Sequence, residues 1–205
     1  MIATGQRLAI LLQNPSFMSL ILFNKPFQVL CQFSREDERA TLADYLDMPN
    51  IYPAGRLDAD SEGLMLLTDD GRLQHQIAHP DHKEAKTYLV QLEGVADRAA
   101  LDRLQAPIDL GDFITKPCRA TLIAEPAWLW PRNPPIRVRQ DKPTSWIAIT
   151  LEEGKNRQVR RMTAAVGLPT LRLVRSSIGP FSLATHPLMP GEWMEVPAAA
   201  VGGKR

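Results

Sequence analysis

The 205-residue chain carries 24 lysines and arginines against 23 acids, a net charge of +1, with 44% hydrophobic and 23% charged residues. That balance is ordinary for a soluble globular protein of one large or two small domains, and it shows neither repeats nor a low-complexity tract. Its apolar runs, such as LAILL after Arg7, are too short for a signal peptide or a membrane span, so a cytoplasmic protein with no membrane partner is expected. In chain order, residues 1–18 read as a loosely ordered leader. SLILFN (19–24) reads as a buried strand stopped by Lys25-Pro26, and TLADYL (41–46) as a short helix. IYPAGRL (51–57) passes through Pro53 and Gly55 into GLMLLT (63–68), a continuous apolar strand closed by a turn at Asp69-Asp70-Gly71. RLQHQIAHP is helical as far as Pro80, KTYLVQLEG alternates as a strand, and ADRAALDRLQA is a helix. KPCRATLIA, SWIAITLEEG and TLRLVR are further strands, and EPAWLWPRNPPIR (125–137) is a rigid irregular insertion between two of them. Strands mixed with short helices, without a βαβ rhythm, predict an α+β fold with a mainly antiparallel sheet.

The acids from Asp58 to Asp69 imitate a twelve-residue calcium loop, with carboxylates at the first, third, fifth and last places and Gly63 at the sixth. The ninth place is Leu66 and the twelfth is Asp69 rather than a bidentate glutamate. Pro53 and Gly55 also spoil the helix that should precede the loop. A turn leading into a strand fits better, with Asp60, Glu62, Asp69 and Asp70 solvated around it. Asp58 differs, because Gly55 permits an unusual backbone path and Leu57 can anchor the turn in the core. An oriented carboxylate of that kind suits catalysis and calls for a cation beside it.

The cation supply lies in EGKNRQVRRMTAAVG, read as a helix after a glycine turn. Val159, Met162 and Val166 fall on one face, and Arg157, Arg160 and Arg161 on the other. Together with Lys155 these arginines repel one another unless an anion is expected, and phosphate is the natural one. From Leu151 to Arg175 there are six bases, Arg172 and Arg175 included, against two acids. Arg132, Arg137, Arg139 and Lys142 make a second basic stretch. Periodicity alone makes Tyr88 a core tyrosine, and Lys83 and Lys86 beside it are an RNA edge or simple solubility. His75, His79, Asp81 and His82 have metal-like spacing, but Pro80 breaks the helix that would gather them, so no metal is expected. Cys31 and Cys118 read as buried reduced thiols.

Lys25-Pro26, GRLDADSEGLMLLTDDG, KTYLV, EGKNRQVRRM and LRLVRSSIG, in that order over residues 19–194, closely resemble the RsuA-like pseudouridine synthase family. The resemblance implies the mixed sheet of that fold, with a catalytic domain over 19–205 that divides into two subdomains around a cleft. It implies isomerisation of uridine to pseudouridine in ribosomal RNA. Most members carry an N-terminal S4 domain for which this sequence has no room. That and the Trp-Pro insertion point to a branch acting on large-subunit (23S) ribosomal RNA. The resemblance makes Asp58 the catalytic aspartate, Arg160 its ion-pair partner and Tyr88 the residue that stacks on the target base. It also makes Arg56 the residue that fills the gap left by the flipped base. Lys86, Lys155, Arg157 and Arg161 are expected to hold RNA phosphates, and a monomer is expected. Breaking a C–N bond and forming a C–C bond involve no net redox change, so no cofactor is called for. A transfer RNA substrate, or a non-catalytic RNA-binding role in ribosome assembly, stays open as the alternative. One departure stands out: Gln28 occupies the place where the Lys-Pro motif usually continues to glycine.

Overall fold

The computed structural model describes residues 19–78, 84–136, 141–198 and 201. The leader assigned to residues 1–18, the His79–Lys83 stretch, and Arg137 and Arg139 lie outside the described residues. The chain divides into two compact units, residues 1–82 with 179–205, and residues 83–178.

In the first unit, β1 (Ser19–Lys25) pairs antiparallel with β3 (Glu62–Thr68), setting Leu20 opposite Thr68 and Lys25 opposite Gly63. A two-residue strand β2 (Tyr52–Pro53) also lies against β3, bonded at Thr68 and Leu67. All seven residues of β3 are buried. This is why the segment reads as an unbroken apolar run rather than an alternating one. Helix α1 (Gly71–Ala78) follows at once, and its first turn is capped by Asp70, whose Oδ1 accepts from the Arg72 and Leu73 amides at 2.7 and 3.3 Å. TLADYL forms only a one-turn 3-10 helix, Leu42–Asp44. The Thr41 amide donates to the Asp44 carboxylate at 2.8 Å, holding the single turn in which Leu42 is buried.

The second unit contains β4 (Lys86–Glu93), helix α2 (Arg98–Gln105), β5 (Arg119–Ile123), β6 (Thr144–Leu151), helix α3 (Gln158–Ala165) and β7 (Thr170–Ile178). Its strands run antiparallel in the order β5-β6-β4-β7. Tyr88, Leu89 and Val90 are consecutively buried, so β4, a central strand, is covered on both faces and its alternation is weaker than the sequence suggested. Asp97 caps α2 by accepting from the Ala100 amide at 2.8 Å. In α3, Val159 and Met162 are buried, and Val166 just past its end is buried too, as the 3.6-residue period requires. In the first unit a two-residue β8 (Phe181–Ser182) precedes β9 (Trp193–Pro197), which pairs antiparallel with β1. The result is the mainly antiparallel α+β arrangement expected. Among the described residues no helix is long and apolar enough to cross a membrane.

Candidate active site

Asp58 sits in the first unit, half-buried, in the turn between β2 and β3. The turn is built almost wholly from backbone. The Ala54 amide bonds to Leu66 O at 2.8 Å, and Gly55 turns the chain with φ +94°. That left-handed region is open to glycine at little cost. Leu57 is buried beneath the turn, and the Ser61 amide closes it on Asp58 O at 3.1 Å. Two further ties come from the Lys-Pro segment. The Gln28 amide donates to Ala59 O at 2.7 Å, and the Lys25 ammonium reaches the same oxygen at 3.3 Å. Lys25 is 0% exposed, and its Nζ also donates to Val29 O at 2.8 Å and Pro26 O at 2.9 Å. A buried ammonium is tolerated only when its donors are used, and here they clamp the residue next to Asp58. Arg56 is exposed on the same turn, two residues before Asp58.

Gln28 adopts φ +66° and is exposed. The turn usually made by glycine is therefore kept, with a non-glycine residue in a left-handed conformation and its side chain in solvent.

Tyr88, Lys86, Lys155, Arg157, Arg160 and Arg161 all belong to the second unit. Tyr88 is 9% exposed and stands opposite Ile149 on β6 and Arg175 on β7. The β4–β7 register shifts between Thr87 and Tyr88. An irregularity of that kind redirects the side chain beside it. Lys86 opens the same strand. Burial pulls its pKa below the ordinary lysine value, and the Arg175 charge adds to the effect while Glu84 opposes it. Helix α3 begins later than the sequence suggested, at Gln158. Arg157 caps it in a left-handed conformation, φ +49°, and so leaves the helical face on which it was expected. Gln158 is buried. Its Oε1 accepts from the Lys155 amide at 3.1 Å and its Nε2 donates to Glu153 at 2.5 Å, fixing the segment before the helix. Lys155 and Arg157 are exposed, whereas Arg160 and Arg161 are half-buried. Lys155 and Arg161 converge on the Phe113 ring, at 6.0 and 5.1 Å from its centroid. Arg161 also forms an ion pair with Asp112.

Several charged residues behave differently from their sequence reading. Glu62 is 2% exposed inside β3, not solvated, and Asp70 serves as the helix cap described above. A strand over Glu62–Thr68 occupies most of the would-be calcium loop, leaving no flexible loop to wrap an ion. Arg172 and Arg175 are buried, so they are not part of a basic surface. The Arg172 guanidinium donates to Trp130 O at 2.9 Å and lies 5.7 Å from the centre of that indole. Lys142 is paired with Glu93 at 2.6 Å. Both cysteines are free but only partly buried. Cys118 donates to Leu104 O at 3.1 Å, and burial pushes its thiol up to about 11. The role of Lys25 as a clamp on the Asp58 turn escaped sequence reasoning, although the Lys-Pro pair marked the place.

A family described as RNA pseudouridylate synthase matches residues 19–165. Ribosomal large subunit pseudouridine synthase E of Vibrio vulnificus is 51% identical over 177 residues, covering 86% of this chain and 74% of that protein. The protein of the same name from Xanthomonas campestris pv. campestris is also 51% identical, over 89% of this chain and 97% of its own length. A crystal structure of a pseudouridylate synthase superposes with a TM-score of 0.73 at 29% identity, covering 89% of this chain and 71% of the other. An archaeal box H/ACA Nop10-Cbf5 complex, 15% identical with a TM-score of 0.54 over 80% of this chain and 49% of that one, shares the fold alone. With a matched span that covers most of the sequence and relatives half identical to it, the chain belongs to the RNA pseudouridylate synthase family.

Proposed function

We propose that this protein converts a specific uridine of large-subunit ribosomal RNA to pseudouridine, with Asp58 as the residue that attacks or deprotonates the nucleoside. The reading is carried by one observation: in a member of this family, the half-buried Asp58 carboxylate stands on a turn fixed from several directions, by the Gln28, Ala54 and Ser61 amides and the Lys25 ammonium. Such a group is oriented before substrate arrives. Arg160 is assigned as the cation that serves Asp58, and Tyr88, aimed by the irregularity in β4, stacks on the flipped uracil. Arg56, exposed beside Asp58, enters the space the base leaves. Lys86, Lys155 and Arg157 line the phosphate path. Lys86 suits the task because its charge is ill-solvated, so an arriving phosphate relieves a cost already present in the fold. Flipping the base costs a few kcal/mol, which phosphate contacts offset. The C1′–N1 bond breaks, the detached uracil turns, and a C1′–C5 bond forms, with the C5 proton lost and N1 taking up one in its place, so that the change is an isomerisation. The protein works as a monomer in the cytoplasm. The large-subunit relatives favour this substrate over transfer RNA.

The test incubates the protein with unmodified large-subunit RNA and maps pseudouridine by carbodiimide-blocked primer extension. One new stop is expected with the wild type and none with Asp58→Asn, while the variant still binds RNA. An undiminished stop with the variant removes Asp58 from the chemistry. No stop with either protein, together with normal binding by both, leaves a non-catalytic assembly factor. Preferential modification of competing transfer RNA would move the substrate.

A further inference from the structure

Between α2 and β5 the chain makes a tight hairpin over residues 108–115, which no motif assigned to the reaction includes. Asp109 and Ile114 bridge it, the Leu110 amide bonds to Phe113 O at 3.0 Å, and the Thr115 amide bonds to Ile108 O at 2.9 Å. Buried Thr115 adds a side-chain bond, its hydroxyl accepting from the Ile108 amide at 2.9 Å. Gly111 turns the tip with φ +91°, and its amide bonds to the Asp109 carboxylate at 2.8 Å.

The hairpin is fastened to helix α3 by Arg161. Nη1 of this arginine donates to Asp112 Oδ2 at 3.1 Å, and Nη2 donates both to Asp112 Oδ1 and to Leu110 O, the latter at 2.5 Å. Its guanidinium lies 5.1 Å from the centre of the Phe113 ring. A second fastening joins the stem, where the Lys116 amide donates to the Glu153 carboxylate at 2.9 Å. Three of the five N–H donors of Arg161 are engaged in this way, and its charge is already paired with a carboxylate. The hairpin it holds carries an exposed aliphatic side chain next to its tip: Ile114, bridged to Asp109, is 66% exposed. Two lysines stand beside it. Lys116 is exposed two residues on, and Lys155 is exposed over the Phe113 ring, while the two exposed acids of the hairpin are engaged, Asp112 by Arg161 and Asp109 by the Gly111 amide. An exposed aliphatic side chain with lysines beside it fits an RNA surface, where the lysines meet phosphate and the side chain packs on a base.

We propose that Arg161 is a positioning residue, which locks the 108–115 hairpin to helix α3 so that the hairpin presents Ile114, flanked by Lys116 and Lys155, to the substrate RNA. The inference rests on the reading of the chain as an RNA-modifying enzyme, and it replaces a direct phosphate contact by Arg161. Removing either end of the lock then has the same consequence as removing both.

The experiment is a double-mutant cycle on Arg161→Gln and Asp112→Asn, read as kcat/KM on large-subunit RNA and as RNA affinity at several salt concentrations. Each single variant is expected to lose about tenfold in kcat/KM, mainly through KM, and the double variant no more than either. The slope of log affinity against log salt should stay at the wild-type value in Arg161→Gln. Arg161→Lys, which keeps the charge but not the fork, should fail like Arg161→Gln. Ile114→Ser should raise KM without changing the melting temperature. The proposal is overturned if Arg161→Gln lowers the salt slope by about 0.7–0.9 while Asp112→Asn binds as tightly as wild type or tighter, the signature of a lost phosphate contact. It is equally overturned if Arg161→Lys behaves as wild type or if Ile114→Ser leaves KM unchanged. Wild-type protein that makes pseudouridine while the cycle proves additive refutes the lock alone. Wild-type protein that makes none refutes the underlying reading.

Discussion

The turn that carries Asp58 and the segment that carries the basic residues are held by different kinds of force. Residues 54–61 are fixed by main-chain bonds, a buried leucine and an ammonium sealed from water. Residues 153–161 and the 108–115 hairpin are joined to each other through charged and polar side chains: Arg161 with Asp112, Glu153 with the Lys116 amide, and Glu153 again with buried Gln158. The first kind of support is indifferent to salt and to mild acid, whereas the second responds to both. A catalytic group needs one fixed direction. A surface that receives a polyanion gains from contacts that rearrange at modest cost. The difference teaches that rigidity is concentrated around Asp58.

On the proposed assignment of Arg160 to Asp58, Arg160→Leu gives the largest expected effect, a loss of about a hundredfold or more in turnover, measured by single-turnover pseudouridine formation. Arg161→Leu should cost distinctly less, and comparable losses for the two would argue that neither arginine serves Asp58. Lys25→Met should remove about 2–3 kcal/mol of stability, since three carbonyls lose a charged donor in a dry site. Denaturant unfolding should show that loss unchanged between low and high salt, and a strong salt dependence would blur the contrast between the two supports. Gln28→Gly should stabilise the protein by about 1 kcal/mol, because it relieves a left-handed non-glycine residue whose side chain is exposed. A rise in melting temperature with unchanged activity checks it.

The smallest effect is on pH. The hydrogen bond from Arg161 holds the Asp112 carboxyl below its ordinary value of 3.8. A lowered folded-state value means that this contribution is present above the unfolded pKa and lost as pH falls through the folded one. Amide protection in the 108–115 hairpin should therefore weaken below about pH 4 while protection in β1 and β3 persists. Simultaneous loss in both would show that the hairpin is not a separately held element.

Strands and helices were legible where burial is continuous or one-sided. β1, β3, β6, β7 and α2 fall where apolar pattern and breakers put them. The start of α3 was misjudged because Arg157 takes a left-handed conformation, which no arginine advertises. The burial of Arg172 depends on Trp130, 42 residues away in sequence, and local composition carries no trace of such a partner. Glu62 was misread for a similar reason, since an acid beside other acids looks solvated until the strand it opens is seen to be covered. The Asp58 turn was legible because Gly55, Leu57 and the carboxylate are local, and the ordered motifs of the resemblance pointed to the same place. Its supports were not, because Lys25 and Gln28 act on Ala59 across more than thirty positions.

That separation has a kinetic consequence. Lys25 and Ala59 are 34 residues apart, and their contact forms only once β1 and β3 are aligned. Closing such a span costs chain entropy that local contacts do not repay. The turn bearing Asp58 therefore acquires its final shape only after that alignment. Substitutions at Lys25 should accelerate unfolding far more than they slow folding.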